Sequence, residues 1–204
     1  MPIKESSDEL NPPVTVAGGF IARSPQEERR PWDVFALVVA TCGVGYLPVA
    51  PGTCGSIVGV GLYLLVRLAS AEVSPWAVAH GLSVAQLESL RMTLMLMMVF
   101  AITIAGIWAA TRAERLLGRK DPGAVVIDEV AGQLITFLFV PLNAGLWAIV
   151  AGFVAFRAFD IWKPYPIRRL EALESGLGIM ADDVLAGAYA ATLMSLLISI
   201  HLLL

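Results

Sequence analysis

The stretch IDEVAGQLITFLFVPLNAGLWAIVAGFVAF, residues 127–156, sets two carboxylates, Asp128 and Glu129, against a run almost free of charge. From Val130 to Phe156 it is apolar except at PLNAG in its middle, where proline, asparagine and glycine interrupt a helix. A helical hairpin fits this pattern. Its arms are about eleven residues each, against the ~20 that a helix needs to cross the hydrocarbon of a bilayer. Arms that short bundle with longer helices or lie where the bilayer is thin. The acids ahead of them need something to hold them, because a carboxylate beside hydrocarbon is costly. The expected fold class is all-α: a polytopic membrane helical bundle with about four or five membrane segments, including broken helices and short hairpin arms.

Composition agrees. Of 204 residues 57% are hydrophobic and only 15% charged, and the mean hydropathy is +0.75, well to the apolar side of ordinary soluble domains. The length suits one domain, expected over residues 32–204, and the polar, proline-bearing residues 1–31 read as a flexible tail without the pattern of a cleavable signal. A net charge of −3 argues against nucleic acid as a partner. Cys42 and Cys54 form no C-x-x-C pair, and His80 and His201 are far from them and from each other, which removes a zinc site.

Outward from the hairpin, Val34–Leu68 is apolar but interrupted by Gly43, Gly45, Pro48, Pro51 and Gly52, so two shorter helices around a loop are expected. Residues 69–92 read as a mixed connection, Thr93–Ala110 as a span of about eighteen residues, and Val184–Leu204 as the cleanest span. Basic residues crowd the tail (Lys4, Arg23, Arg29, Arg30), the segment after the Thr93–Ala110 span (Arg112, Arg115, Arg119, Lys120) and the segment after the hairpin (Arg157, Lys163, Arg168, Arg169). Only Arg67 and Arg91 flank the 69–92 connection. Since loops rich in Lys and Arg stay cytoplasmic, the tail and the 111–129 and 157–183 segments are expected inside and the 69–92 connection outside.

Three polar clusters then fall on the cytoplasmic face. In GYLPVAPGTCGS (45–56), Thr53 and Ser56 sit where a Gly/Pro loop opens into an apolar helix. Free N–H groups there suit a phosphate, while a plain helix break with Thr53 or Ser56 as N-cap explains the same residues. Asp128 and Glu129 follow Asp121-Pro122. Adjacent acids on a helix share a metal only with ligands from elsewhere, and acids in a first helical turn also simply complement the helix dipole. In FRAFDIWKPYPIRRLEALESGLGIMADD (156–183), Arg157, Asp160 and Lys163 recur at a spacing that puts them on one helix face, and Asp182 and Asp183 precede the last span. An Asp N-cap explains one of that pair but not both.

Asp128, Glu129, Asp160, Asp182 and Asp183 would repel one another if packed close, whereas a divalent cation makes them useful together. An oxygen-only donor set without His or Cys points to Mg2+. Lys163, Arg168 and Arg157 would supply positive charge for a phosphate. Mg2+ and cations at a membrane surface read as phosphate chemistry on a lipid.

The strings LPVAPGTCGS, VIDEVAGQ and FRAFDIWKPYPIRR with GLGIMADDVLAG, in that order and spacing, resemble the phosphatidylglycerophosphatase A family over roughly residues 32–200. The resemblance implies a Mg2+-dependent phosphatase of the bacterial inner membrane that converts phosphatidylglycerophosphate to phosphatidylglycerol. It implies metal ligation by Asp128, Glu129, Asp160, Asp182 and Asp183 and phosphate contacts, as catalytic groups, from Lys163 and Arg168; the residues themselves add Thr53, Ser56 and Arg157 as candidate substrate contacts and Asp128 and Asp160 as candidate catalytic acids. Two departures stand out: Ser175-Gly176 where the family has Gly-Gly, and the N-terminal extension.

Neither cysteine is followed six positions later by arginine, and no D-x-D-x-T or D-x-D-x-V string occurs, so a cysteine-phosphate loop and one aspartyl-phosphate class are unsupported. The alternatives are a metal-dependent phosphatidyltransferase, whose D-G-x-x-A-R string is missing, and a small transporter using acids for a cation or proton. A transporter places its acids near mid-membrane, and these lie at segment ends.

Overall fold

The structure is a computed structural model that describes residues 30–204. Most of the expected tail lies outside them; Arg30 and Pro31 already form the start of the first helix. The described residues form seven α-helices and no strand: α1 (Pro31–Thr41), α2 (Pro51–Ala79), α3 (Val84–Leu117), α4 (Ile127–Thr136), α5 (Leu146–Trp162), α6 (Ile167–Leu170) and α7 (Ser175–Leu203). The all-helical expectation is met. Three of them, α2, α3 and α7, are long and apolar enough to cross a membrane. Large apolar side chains on their outer faces, such as Leu65, Leu68, Leu94, Phe100 and Leu196, are exposed, as hydrocarbon-facing residues must be.

The interruptions expected between Val34 and Leu68 fall at residues 42–50, so α1 and α2 are separate helices. Cys42 closes α1 in the left-handed region (φ 48°), and Pro51 opens α2, a position where its missing N–H costs nothing. Both ends of α1 are tied to one end of the bundle. Asp33 pairs with Arg112 near the end of α3 at 2.6 Å, and the Val126 N–H donates to the Ala40 carbonyl at 2.9 Å. At 11 residues α1 is also too short to cross.

Two expected boundaries move. The mixed connection over 69–92 contracts to a turn at residues 80–83, because α2 and α3 continue past their apolar stretches. Ser83 starts α3 with a reciprocal cap: the Gln86 N–H donates to its hydroxyl at 3.2 Å, and its own N–H donates to the Gln86 side chain at 2.8 Å. The last helix begins at Ser175 rather than near Val184, so Asp182 and Asp183 lie inside α7 and neither caps it. The N-cap readings of Thr53 and Ser56 are likewise overturned. Ala50 occupies that position with no side-chain cap, and the Ser56 hydroxyl donates to the Gly52 carbonyl one turn back at 3.0 Å.

The hairpin is present as α4, a turn and α5. Helix α4 is the centre of the molecule, packed against α7, α2, α3 and α5, with Val130, Ala131 and Leu134 essentially inaccessible. Small residues let the neighbours approach. A Cβ on Gly187 of α7 would strike the backbone carbonyl of Gly132 in α4, and one on Gly59 of α2 would lie 2.8 Å from the Gln133 Cβ. Where hydrocarbon surrounds a protein, close van der Waals packing of this kind, rather than expulsion of water, holds helices together. An aromatic stack of Tyr63 on Phe137, 4.4 Å between centroids, packs α2 on the turn after α4.

Candidate active site

The N-terminus of α4, the C-terminal turn of α5 and the second and third turns of α7 meet at one end of the bundle. Asp128 and Glu129 stand in the first turn of α4, and Asp183 reaches them from α7. One carboxylate oxygen from each of these residues lies within 4.8 Å of the others. Oxygens spaced like this fit around one hard cation, whose oxygen ligands stand roughly 2.0–2.6 Å from the metal. Oδ1 of Asp128, Oε2 of Glu129 and Oδ2 of Asp183 are each buried with no hydrogen-bond partner. Carboxylate oxygens orphaned away from water carry a full desolvation penalty unless a cation or proton meets them. The donor set can therefore hold a metal ion.

Asp160 joins from α5, its carboxylate against that of Asp183. The Arg157 guanidinium, one turn back, donates to Asp160 Oδ2 at 2.5 Å and stands 4.0 Å from Glu129 Oε1. The helix-face spacing expected for this pair is real, but α5 ends at Trp162, so Lys163 is the cap (φ 46°) and turns elsewhere. Its ammonium bridges Asp182 Oδ2 and Glu171 Oε1, each at 2.6 Å. Burial pushes the Lys163 ammonium toward losing its proton, but the hydrogen bonds to Asp182 and Glu171 more than reverse this and hold its pKa above the usual lysine value. It is a fixed positive charge.

The predicted residues therefore divide. Asp128, Glu129, Asp183 and Asp160 converge with Arg157 beside them. Asp182 is occupied by Lys163 and flanks the cluster. Arg168 is exposed, its guanidinium 3.4 Å from the Trp162 carbonyl, at the mouth of a cavity of about 540 Å3 lined with Trp162, Lys163, Tyr165 and Arg169. Thr53 is half-buried in the first turn of α2; its neighbour Gly52 makes the contact with the centre. A Cβ on Gly52 would collide with Glu129 Oε1 and come within 3.2 Å of Arg157 Nη1. Ser56 is fully buried with its hydroxyl committed to its own helix.

Three residues at or next to the centre escaped the sequence reading. Gly52 reads in sequence as one residue of a helix-breaking Gly/Pro loop suited to a phosphate, with nothing to mark its contact with Glu129. Glu171 is an exposed acid in a charged segment, and only the fold brings it to Lys163. Gln133, one turn below Glu129, is inaccessible to solvent with both amide atoms unpartnered; a lone amide inside the hairpin's apolar arm was the available signal.

A helical membrane protein with an acidic, cation-flanked centre at one end of its bundle is the class these features define. Residues 37–198 match the profile described as phosphatidylglycerophosphatase A, and the chain belongs to that family, whose members are phosphoric monoester hydrolases. It is 33% identical over 175 residues to the phosphatidylglycerophosphatase A of Escherichia coli, covering 85% of this chain and 87% of that one. To the protein of the same name from Haemophilus influenzae it is 34% identical, covering 76% and 82%. A Bacteroides thetaiotaomicron protein provisionally named phosphatidylinositol-3-phosphatase is 37% identical, over 82% of this chain and 95% of its own length. No solved structure matches the chain.

Proposed function

We propose that this protein hydrolyses the terminal phosphomonoester of phosphatidylglycerophosphate, releasing phosphatidylglycerol and inorganic phosphate, with Mg2+ held by Asp128, Glu129 and Asp183. The observation that carries the reading is the convergence of three orphaned carboxylate oxygens from two helices, with fixed cations at their margin. Bound there, Mg2+ supplies charge neutralisation at the phosphoryl oxygens and acidifies water.

The chain's own residues do the rest. Asp160, held by Arg157, orients and deprotonates the attacking water. Lys163, locked between Asp182 and Glu171, presents positive charge to the phosphate side of the centre. Arg168 and Arg169 at the cavity mouth draw in the anionic headgroup, whose terminal phosphate alone carries up to two negative charges. As the new oxygen–phosphorus bond forms, the ester bond to glycerol breaks, the leaving oxygen takes a proton from solvent water, and Asp160 returns the proton it removed to solvent. The centre stands at one end of the bundle, where a lipid headgroup resides, which disfavours a transporter with mid-membrane acids. The excess of Lys and Arg at that end supports a cytoplasmic orientation in the bacterial inner membrane.

The relatives' names differ in headgroup, so the test is a panel: phosphatidylglycerophosphate, phosphatidylinositol 3-phosphate and phosphatidate, each in detergent with Mg2+ or chelator. Phosphate release is expected from the first, abolished by chelation. Undiminished release in chelator would sink the metal assignment. Release from phosphatidylinositol 3-phosphate alone would reassign the substrate.

A further inference from the structure

At the opposite end of the bundle lies a second polar group that the catalytic reading leaves unused. Arg91 of α3 is 95% buried, at 5% exposure. Its Nε donates to Glu88 Oε2 at 2.9 Å, with Nη2 at 2.8 Å from the same oxygen, but Nη1 is buried without a partner. Arg67 Nη1 and the Tyr63 hydroxyl, both on α2, are buried and unpartnered too, and Tyr63 neighbours Arg67, Arg91 and Glu88. Two guanidiniums thus lie near Tyr63, and the one carboxylate there, Glu88, pairs with Arg91. Each guanidinium leaves a donor that water cannot reach, which is expensive unless an anion accepts from it.

Arg91 also lines a cavity of about 440 Å3 between α2 and α3. Its other walls are largely hydrocarbon: Val66, Val73, Leu87, Leu90, Leu94. The serines there do not compete for an anion, because Ser70 and Ser74 donate to carbonyls of their own helix at 2.7 and 2.6 Å. At a rise of about 1.5 Å per residue, Arg67 stands about 22 Å along α2 from Gly52. With the carboxylates at one boundary of a hydrocarbon core about 30 Å thick, a long arginine side chain at that depth reaches toward the other boundary.

We propose that this groove binds one anionic phospholipid of the leaflet opposite the catalytic centre, its phosphate on Arg91 and Arg67 and an acyl chain along the α2–α3 cavity. Charge selects the occupant: positive donors in excess of Glu88 at the headgroup and apolar walls beyond it match a lipid phosphate that carries its own hydrocarbon. The site is independent of the catalytic assignment.

The test is lipid retention by full-length protein, read by native mass spectrometry after exchange into detergent with equal amounts of phosphatidylglycerol and phosphatidylcholine of the same chains. About one phosphatidylglycerol per protein is expected to persist, in the wild type and in Asp128→Asn alike. Arg91→Gln with Arg67→Gln should lower that retention at least tenfold, the scale of losing charge-assisted hydrogen bonds. Ala69→Trp keeps both arginines and plugs the groove, whose wall includes Ala69, and should do the same if the arginine variant does not fold. Equal retention of the two lipids overturns the proposal, as does loss in Asp128→Asn but not in the groove variants. Displacement of the lipid by millimolar inorganic phosphate alone also overturns it, since the site would then read a free anion.

Discussion

At the scale of single residues, carboxylates here do two physically different jobs, and substitution separates them. Asp128, Asp160 and Asp183 present oxygens to a shared centre, so Asp→Asn at each is expected to lower phosphate release at least about 100-fold while the protein still inserts, the scale seen when a preorganised electrostatic contact is lost. Near-normal turnover in all three would reduce them to structural acids. Asp33 is different. Its hydrogen bond to Arg112 outweighs desolvation and holds its pKa below the usual aspartate value. A lowered carboxyl pKa contributes stability that is present above the unfolded-state value and is lost as pH falls through the folded one. The difference in unfolding midpoint between wild type and Asp33→Asn should therefore be constant near neutrality, begin to shrink below about pH 4, and vanish only once the pH is below the lower folded-state value. A difference that grows in acid would show that the pair does not form. The residue types of the centre were legible in sequence because acids inside apolar sequence are conspicuous. Their partners were not: Glu171 is distant in sequence from Asp182, and Lys163 joins the two only because the chain turns at the end of α5.

At the scale of helices, apolar runs revealed which segments are helical but misplaced their ends. The run after Asp183 reads as a span starting near Val184, yet α7 begins at Ser175, where Lys163 pairs with Asp182 and the Gly176 N–H donates to the Thr111 hydroxyl of α3 at 3.0 Å. Ser175 itself takes a left-handed φ of 59°, where the family pattern has glycine. A side chain there costs about 1–2 kcal/mol, so Ser175→Gly should stabilise the protein by about 0.5–1 kcal/mol after the added freedom of the unfolded chain is subtracted. Denaturation in mild detergent measures it, and a destabilised variant would mean that the hydroxyl is needed. The α4–α7 crossing runs the other way. A methyl group at Gly187 meets the Gly132 carbonyl, so Gly187→Ala must part the two helices, at about 1–3 kcal/mol. Because Asp183 stands one turn from Gly187 on the same helix, phosphate release should fall further than the loss of folded protein explains. Proportional losses of activity and folded fraction would show that the crossing does not set the site's geometry.

At the scale of the whole molecule, the expectation of a helical bundle with acids gathered at one end has a topological reason: the two segments rich in Lys and Arg that follow α3 and α5 are also those that carry the acids of the centre. What composition could not supply was the role of α4. A short, buried helix at the heart of the bundle looks from its sequence like half of a span, and only its enclosure by α2, α3, α5 and α7 shows that it delivers Asp128 and Glu129 to the others. Helices α2 and α3 are long and apolar enough to cross a membrane, which makes the side each end occupies a testable matter. The α2–α3 turn lies at the end remote from the carboxylates, and the segment between α3 and α4 lies beside them, so one cysteine at each reports orientation. Cys42 and Cys54 are free thiols and are first replaced by alanine. Leu82→Cys sits in the exposed α2–α3 turn, and Gly123→Cys has open space around its new side chain. A membrane-impermeant maleimide added to intact spheroplasts is expected to label Leu82→Cys at once and Gly123→Cys only after permeabilisation, because the basic residues gather at the Gly123 end. The reverse pattern would place the catalytic centre outside, and equal labelling of both in intact spheroplasts would mean that α2 and α3 do not cross the bilayer.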